Sequence, residues 1–150
     1  MGTHYKGIEK EIRALNTYIK LMRAAESLTS RLNSHLASAR LTISQFGALE
    51  ALFHLGPLCQ RELSEKLLKS SGNITMVVDN LEKRGLVERK REGEDRRYVT
   101  VHLTDEGRRL ISEIFPAHVA AIVEEMNILT ASEQNELGRL CRVLGLRNRG

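Results

Sequence analysis

The chain has 150 residues, of which 41% are hydrophobic and 28% charged, with a formal net charge of +4 and two cysteines. That composition describes one globular domain with a core of its own, and it argues against a disordered chain or a disulfide framework. Without an apolar run of roughly eighteen residues or a basic-then-apolar leader, we expect a cytoplasmic protein with no membrane partner; the excess positive charge permits a polyanionic partner without requiring one.

In chain order, Ile8, Ile12, Leu15, Ile19, Met22, Ala25, Leu28, Leu32 and Leu36 fall three or four apart with no proline or glycine between them. The spacing predicts one amphipathic helix about 45 Å long, more than a domain of this size needs to cover itself, so part of its stripe is expected to meet a second copy of the chain. The second helix starts at Thr42 with Gln45 three residues later, a capping box, and stops at Gly56 and Pro57, with Phe46, Leu49 and Phe53 inward. A short helix carrying Cys59, Leu63 and Leu67 leads to a turn at Ser70, Ser71 and Gly72. The next helix places Ile74, Val77, Val78 and Leu81 on one face and Asn73, Thr75, Met76, Asn80 and Lys83 on the other, ending at Gly85.

Residues 98–103 alternate at period two and read as a strand, and 86–91 just upstream is its antiparallel partner, in a hairpin whose charged tip is EGEDRR. Thr104, Asp105 and Glu106 cap a helix reaching about Met126, which Pro116 is expected to bend or split. Thr130 and Glu133 form another capping box, opening a helix expected to bury Leu137, Leu140, Cys141 and Leu144. Two short helices joined by a tight turn and followed by a basic hairpin have the order of a winged helix-turn-helix. The expected fold is therefore mainly α with a small β-hairpin wing, a winged helix-turn-helix plus a helical dimerisation layer.

The chemistry follows from that order. A hairpin beside a docked duplex can put an arginine into the narrow, electronegative minor groove, and Asp95 is placed to orient the guanidinium of Arg97, next to Arg96. Residues near a recognition-helix N-terminus reach base edges in the major groove, which selects Ser71, Asn73, Thr75 and Met76 and suggests an A/T-rich site; Ser70, Arg61 and Arg84 are candidate phosphate contacts. Cys59, at a helix N-terminus, is a candidate redox thiol, although a small residue simply tolerated there is the plainer expectation. His35, His54, His102 and His118 show no metal-ligand spacing, so no metal and no cofactor is expected. No nucleophile, base and orienting group can be proposed together, which argues against an enzyme.

These motifs resemble the MarR family of bacterial winged-helix regulators. The likeness rests on Asp95-Arg96-Arg97 followed by YVTVHLTDEG, on SSGNITMVVDNLEKRGLVER and on LTISQFGALEAL, and runs in order through nearly the whole chain. It implies a single domain over 1–150, with about 41–103 as the DNA-binding region and about 8–38 and 104–147 as dimerisation helices. It also implies that Arg97 is the minor-groove residue held by Asp95. A homodimer bound to a pseudo-palindromic operator in double-stranded DNA is the implied partner state, with repression relieved by a small effector, often aromatic or phenolic. The sequence departs from the family at Cys59, where Ser or Thr is usual, and has no cysteine in the first helix, where the peroxide-sensing branch carries its own. The alternatives are a protein-interaction module on a winged-helix scaffold and a thiol-based redox regulator using Cys59.

Overall fold

A computed structural model describes residues 2–67, 73–93 and 98–149. In chain order the elements are α1 (Glu9–Ala37), α2 (Ile43–Leu55), β1 (Leu58–Cys59), α3 (Gln60–Lys66), α4 (Ile74–Lys83), β2 (Val87–Arg91), β3 (Val99–Leu103), α5 (Asp105–Met126) and α6 (Ala131–Leu146). The sheet is antiparallel in the order β1-β3-β2, with Val87 opposite Leu103, Arg91 opposite Val99 and Leu58 opposite Val101. The predicted pairing of β2 with β3 is therefore present, and β3 is the central strand of the sheet.

Helix boundaries follow the caps read from the sequence. Thr42 Oγ1 accepts from the Gln45 backbone N–H at 3.1 Å while the Gln45 side chain accepts from the Thr42 N–H at 3.0 Å. The Thr130–Glu133 pair repeats the arrangement at 3.1 and 2.9 Å. Each box satisfies two amides that the first helical turn leaves unpaired.

The core lies where α2, α3, α4, α5 and the sheet converge. Leu49, Leu63, Leu81, Val78, Val101 and Ile111 are fully buried there, each stabilising the fold by roughly 1.5–3 kcal/mol relative to an exposed position. Gly85, at φ +71°, turns the chain from α4 into β2, where its N–H bonds the Glu82 carbonyl and the Leu86 N–H bonds that of Leu81. Thr104 then fastens α5 to this turn. Its hydroxyl donates to the Gly85 carbonyl at 2.6 Å and accepts from the Gly107 N–H at 3.0 Å, and its own N–H bonds the Leu86 carbonyl at 3.1 Å.

One expectation is corrected, one is narrowed and one element is new. Leu137, Leu140 and Leu144 are 39%, 48% and 62% exposed and Cys141 is exposed, so α6 buries no residue within the chain. Periodicity reports an apolar face but not what covers it, and among the described residues no element covers this one. Of the two outcomes expected at Pro116, a bend or a split, the split is absent: α5 is continuous from Asp105 to Met126. Ser112, whose carbonyl loses its helical donor there, is exposed and so open to water, as is Pro116 itself. The strand β1 was not anticipated, because two residues are too few to show a period.

Candidate nucleic-acid interface and adjoining cavity

The polar face of α4 is open to solvent, with Asn73, Thr75 and Asn80 exposed and Met76 59% exposed. Asn73 is the N-cap of α4, and its side chain makes no cap hydrogen bond. Thr75 Oγ1 accepts from Gln60 Nε2 at 3.2 Å. Arg61 is exposed and pairs with Glu65 one turn away at 3.7 Å, an arrangement that contributes little. Ser70, Ser71, Asp95, Arg96 and Arg97 lie outside the described residues.

Arg84, expected as a phosphate contact, is exposed and also has a place in the fold. Its Nη1 donates to the Arg40 carbonyl at 2.7 Å and its Nη2 to the Ala39 carbonyl at 3.2 Å. These bonds tie the end of α4 to the α1–α2 turn, where Arg40 adopts a left-handed conformation, φ +57°, that costs a non-glycine residue about 1–2 kcal/mol.

Sequence reasoning missed Arg89. On β2 it stands opposite the fully buried Val101, and its guanidinium is shared among three side chains. Nη2 reaches Asp79 Oδ1 at 2.7 Å, Nη1 reaches Glu82 Oε1 at 2.9 Å, and Nε donates to Gln60 Oε1 at 3.0 Å. The Arg89 backbone N–H also donates to Glu82, at 3.0 Å. One fork thus joins the wing strand to both helices of the helix-turn-helix and, through Gln60, to Thr75. The available signal was a charge on the inward face of a strand, which demands charged or polar partners.

Two further clusters flank the wing. Glu92 accepts from Thr100 Oγ1 at 3.2 Å and lies 3.2 Å from His102 Nε2, which holds the chain just before its tip. Cys59 is the N-cap of α3, as expected, and its backbone N–H donates to Glu62 Oε1 at 3.2 Å. Hydrogen bonds from the Cys59 thiol and then its N–H hold the Glu62 carboxyl below its ordinary value. The Tyr98 hydroxyl, 3.5 Å from Glu62, is held above its ordinary value by the negative charge that Cys59 and then Glu62 carry when ionised. Among the described residues no group of three or more His, Cys, Asp or Glu side chains is placed to hold a metal ion.

A cavity of about 680 Å³ opens between α1, α2 and α5, with the last turn of α3 at its edge. Its walls include Leu32 and Leu36 of α1, Ile43 and Phe46 of α2, and Phe115 and Ile122 of α5. Phe46 stacks on Phe115 with centroids 6.5 Å apart and lies 4.2 Å from the His118 ring. His118 Nδ1 is buried without a hydrogen-bond partner among the described residues, and burial lowers the pKa of the ring below its ordinary value. Protons therefore bind the unfolded chain more readily. The stability that His118 contributes is whole above about pH 6.5 and is lost as pH falls through that value toward the folded pKa. In thermal melts at about pH 7.5 and 5, we expect His118→Phe to lose less stability across the interval than the wild type; equal losses would show that His118 is not the group responsible.

The geometry is matched by known proteins. The sequence model of the MarR family covers residues 41–99. The HTH-type transcriptional regulator MhqR of Bacillus subtilis (strain 168) is 34% identical over 134 residues, which span 89% of this chain and 92% of that protein. Among solved structures, the MarR-family regulator Sco3205 of Streptomyces coelicolor in complex with DNA superposes with a TM-score of 0.83 at 25% identity, covering 96% of this chain and 91% of its own. BpsR of Bordetella bronchiseptica, whose DNA binding is regulated by 6-hydroxynicotinic acid, gives a TM-score of 0.77 at 24% identity over 86% of this chain and 98% of its own. From the wing, the two-helix reading head and these likenesses together, the chain belongs to the MarR family of winged-helix transcriptional regulators.

Proposed function

We propose that the protein is a homodimeric, sequence-specific repressor that reads DNA with α4 and the wing and is released by a small aromatic or phenolic molecule bound in the cavity. The observation that carries this reading is the position of the cavity. Its walls come from α1 and α5 on one side and from α2 and the end of α3, next to the reading head, on the other. An occupant need only favour one arrangement of these elements over another to change the spacing of two recognition helices. The duplex with which Sco3205 was solved supports DNA as the partner, and the regulation of BpsR by a small molecule supports release by an effector.

The second copy of the chain would cover apolar surface that the monomer leaves open. Tyr18 and Met22 on α1 are 60% and 49% exposed, Val123 on α5 is 50% exposed, and Ile128 is 90% exposed. Together with the bare face of α6, these are exposed apolar side chains of the kind that mark a protein–protein contact. Dimer symmetry sets half-site centres about one helical turn, roughly 34 Å, apart.

Selection from a random duplex library at low and near-physiological salt tests the reading. We expect recovery of one pseudo-palindrome. On that site, Arg97→Ala weakens binding to every sequence and lowers the salt slope by about 0.9, whereas Asn73→Ala mainly relaxes base preference. If no duplex is selected at either salt, the protein-interaction reading replaces this one. An unchanged slope in Arg97→Ala would remove that residue from the interface.

A further inference from the structure

We propose that Gln60, at the start of α3, sets the hydrogen-bond polarity of Thr75 on α4, and so makes Thr75 select a base with a keto oxygen over one with an amino group. The assignment rests on the reading of α4 as the recognition helix and adds a positioning residue that decides what α4 prefers without itself touching a base.

A carboxamide has one accepting end and one donating end, and its orientation decides which of them meets a neighbour. Around Gln60 that orientation is imposed. Arg89 Nε lies 3.0 Å from the Gln60 side chain, and a guanidinium can only donate, so the end facing it is Oε1. The guanidinium is in turn held by Asp79 at 2.7 Å and Glu82 at 2.9 Å, and cannot turn away without giving up both charge-assisted bonds. Nε2 of Gln60 therefore faces Thr75 Oγ1, 3.2 Å away, as a donor.

A threonine hydroxyl has one proton and two lone pairs. Gln60 takes a lone pair and not the proton, so toward a duplex Thr75 can act as a donor. In the major groove thymine O4 and guanine O6 accept, whereas adenine N6 and cytosine N4 are amino donors. Thymine also sets its C5 methyl group beside O4, where it can meet the Thr75 methyl. Every base pair has one keto base and one amino base, so the choice fixes which strand carries which at that position. Thr75 is exposed and Gln60 only partly so, which suits the first for the contact and the second for directing it.

Gln60→Glu reverses the polarity at nearly constant volume. A carboxylate can only accept; it keeps the Arg89 bond and draws the Thr75 proton to itself, so that Thr75 offers a base lone pairs alone. The consequence is an exchange of keto for amino on the contacted strand, at one position of each half-site. A residue that only supported the fold would weaken binding or blur the preference, but would not invert it.

Random-duplex selection on the full chain compares the wild type, Gln60→Glu, Thr75→Val and the double variant, with thermal melts to confirm folding. The added charge of Gln60→Glu lowers affinity for all sequences alike and cancels in the relative enrichment. We expect the wild type to favour a keto base at one half-site position by at least about fivefold, the low end of what a mismatched pair costs. Gln60→Glu should favour an amino base there by a similar factor, and Thr75→Val should lose the preference with or without the change at Gln60. Gln60→Ala, which can neither donate nor accept, should relax the preference, and it tests the same point should Gln60→Glu fail to fold. A keto preference as sharp as that of the wild type in either Gln60 variant would overturn the assignment and leave α4 as the recognition helix. So would an inversion that persists in the Thr75→Val background, or a wild-type preference for an amino base at the position that Thr75→Val erases. Selection of no sequence by the wild type would overturn the DNA-reading proposal and this assignment with it.

Discussion

Gly107→Ala should lower the stability of the protein by about 3 kcal/mol, near the upper end for an overpacked site, and its melting temperature by roughly 6–12 °C for a domain of this size. A Cβ at this position would run into the Leu86 carbonyl and then crowd the Leu103 side chain. The carbonyl cannot step aside, because it already accepts from the Thr104 N–H and belongs to the turn that Gly85 makes. Relief would have to come from α5 lifting off the α4–β2 turn, at the expense of the two Thr104 hydroxyl bonds that anchor it. A thermal melt decides the matter: a variant that unfolds within a degree or so of the wild type would mean that α5 does not sit on this turn. The same contact explains why a glycine follows Leu103-Thr104 at a fixed distance, which the sequence presented only as a pattern.

Arg89→Ala should weaken operator binding by at least about tenfold and also lower stability, by about 2 kcal/mol. The stability figure allows for a guanidinium that keeps 23% of its side chain exposed. Removing the fork leaves Asp79 and Glu82 without their shared cation on the helix that is to approach phosphates, and frees Gln60 from its hold beside Thr75. Arg89→Lys restores the charge but cannot serve two carboxylates and an amide in one plane, so its recovery should be partial. The comparison with Arg97→Ala separates the two arginines. A wing-tip contact should change affinity and leave the melting temperature alone, whereas Arg89→Ala should lower both. If Arg89→Ala melts and binds like the wild type, the network is incidental to the fold.

What could be read from the sequence was what depends on near neighbours. The capping boxes at Thr42 and Thr130, the cap at Thr104 and the hairpin from 86 to 103 are settled by residues a few positions apart, and each is present. Long-range relations were illegible. The edge strand β1 exists only because Leu58 and Cys59 lie beside Val101 and Thr100, and nothing in two residues announces a partner some forty positions away. The apolar face of α6 was read correctly as apolar and wrongly as covered, since amphipathicity carries no information about which molecule supplies the other surface. Arg84 and Arg89 were both visible as basic residues. Their partners, backbone carbonyls in one case and paired carboxylates in the other, come from elements that only the fold brings near. The cavity is the extreme case: Phe46 was assigned inward, but that it borders open space with Phe115 and His118 depends on α5 crossing α2.

Arg84 makes that crossing mechanical. The carbonyls it holds belong to Ala39 and Arg40, and the residues to either side, Leu36 and Ile43, are walls of the cavity. A single side chain therefore spans the distance from the cavity lining to the far end of the helix that carries Asn73 and Met76. An occupant that pries Leu36 from Ile43 pulls on a strut whose other end is α4. The recognition helix must then follow the turn, or the strut must break at the cost of two hydrogen bonds, a net change of about 1–3 kcal/mol.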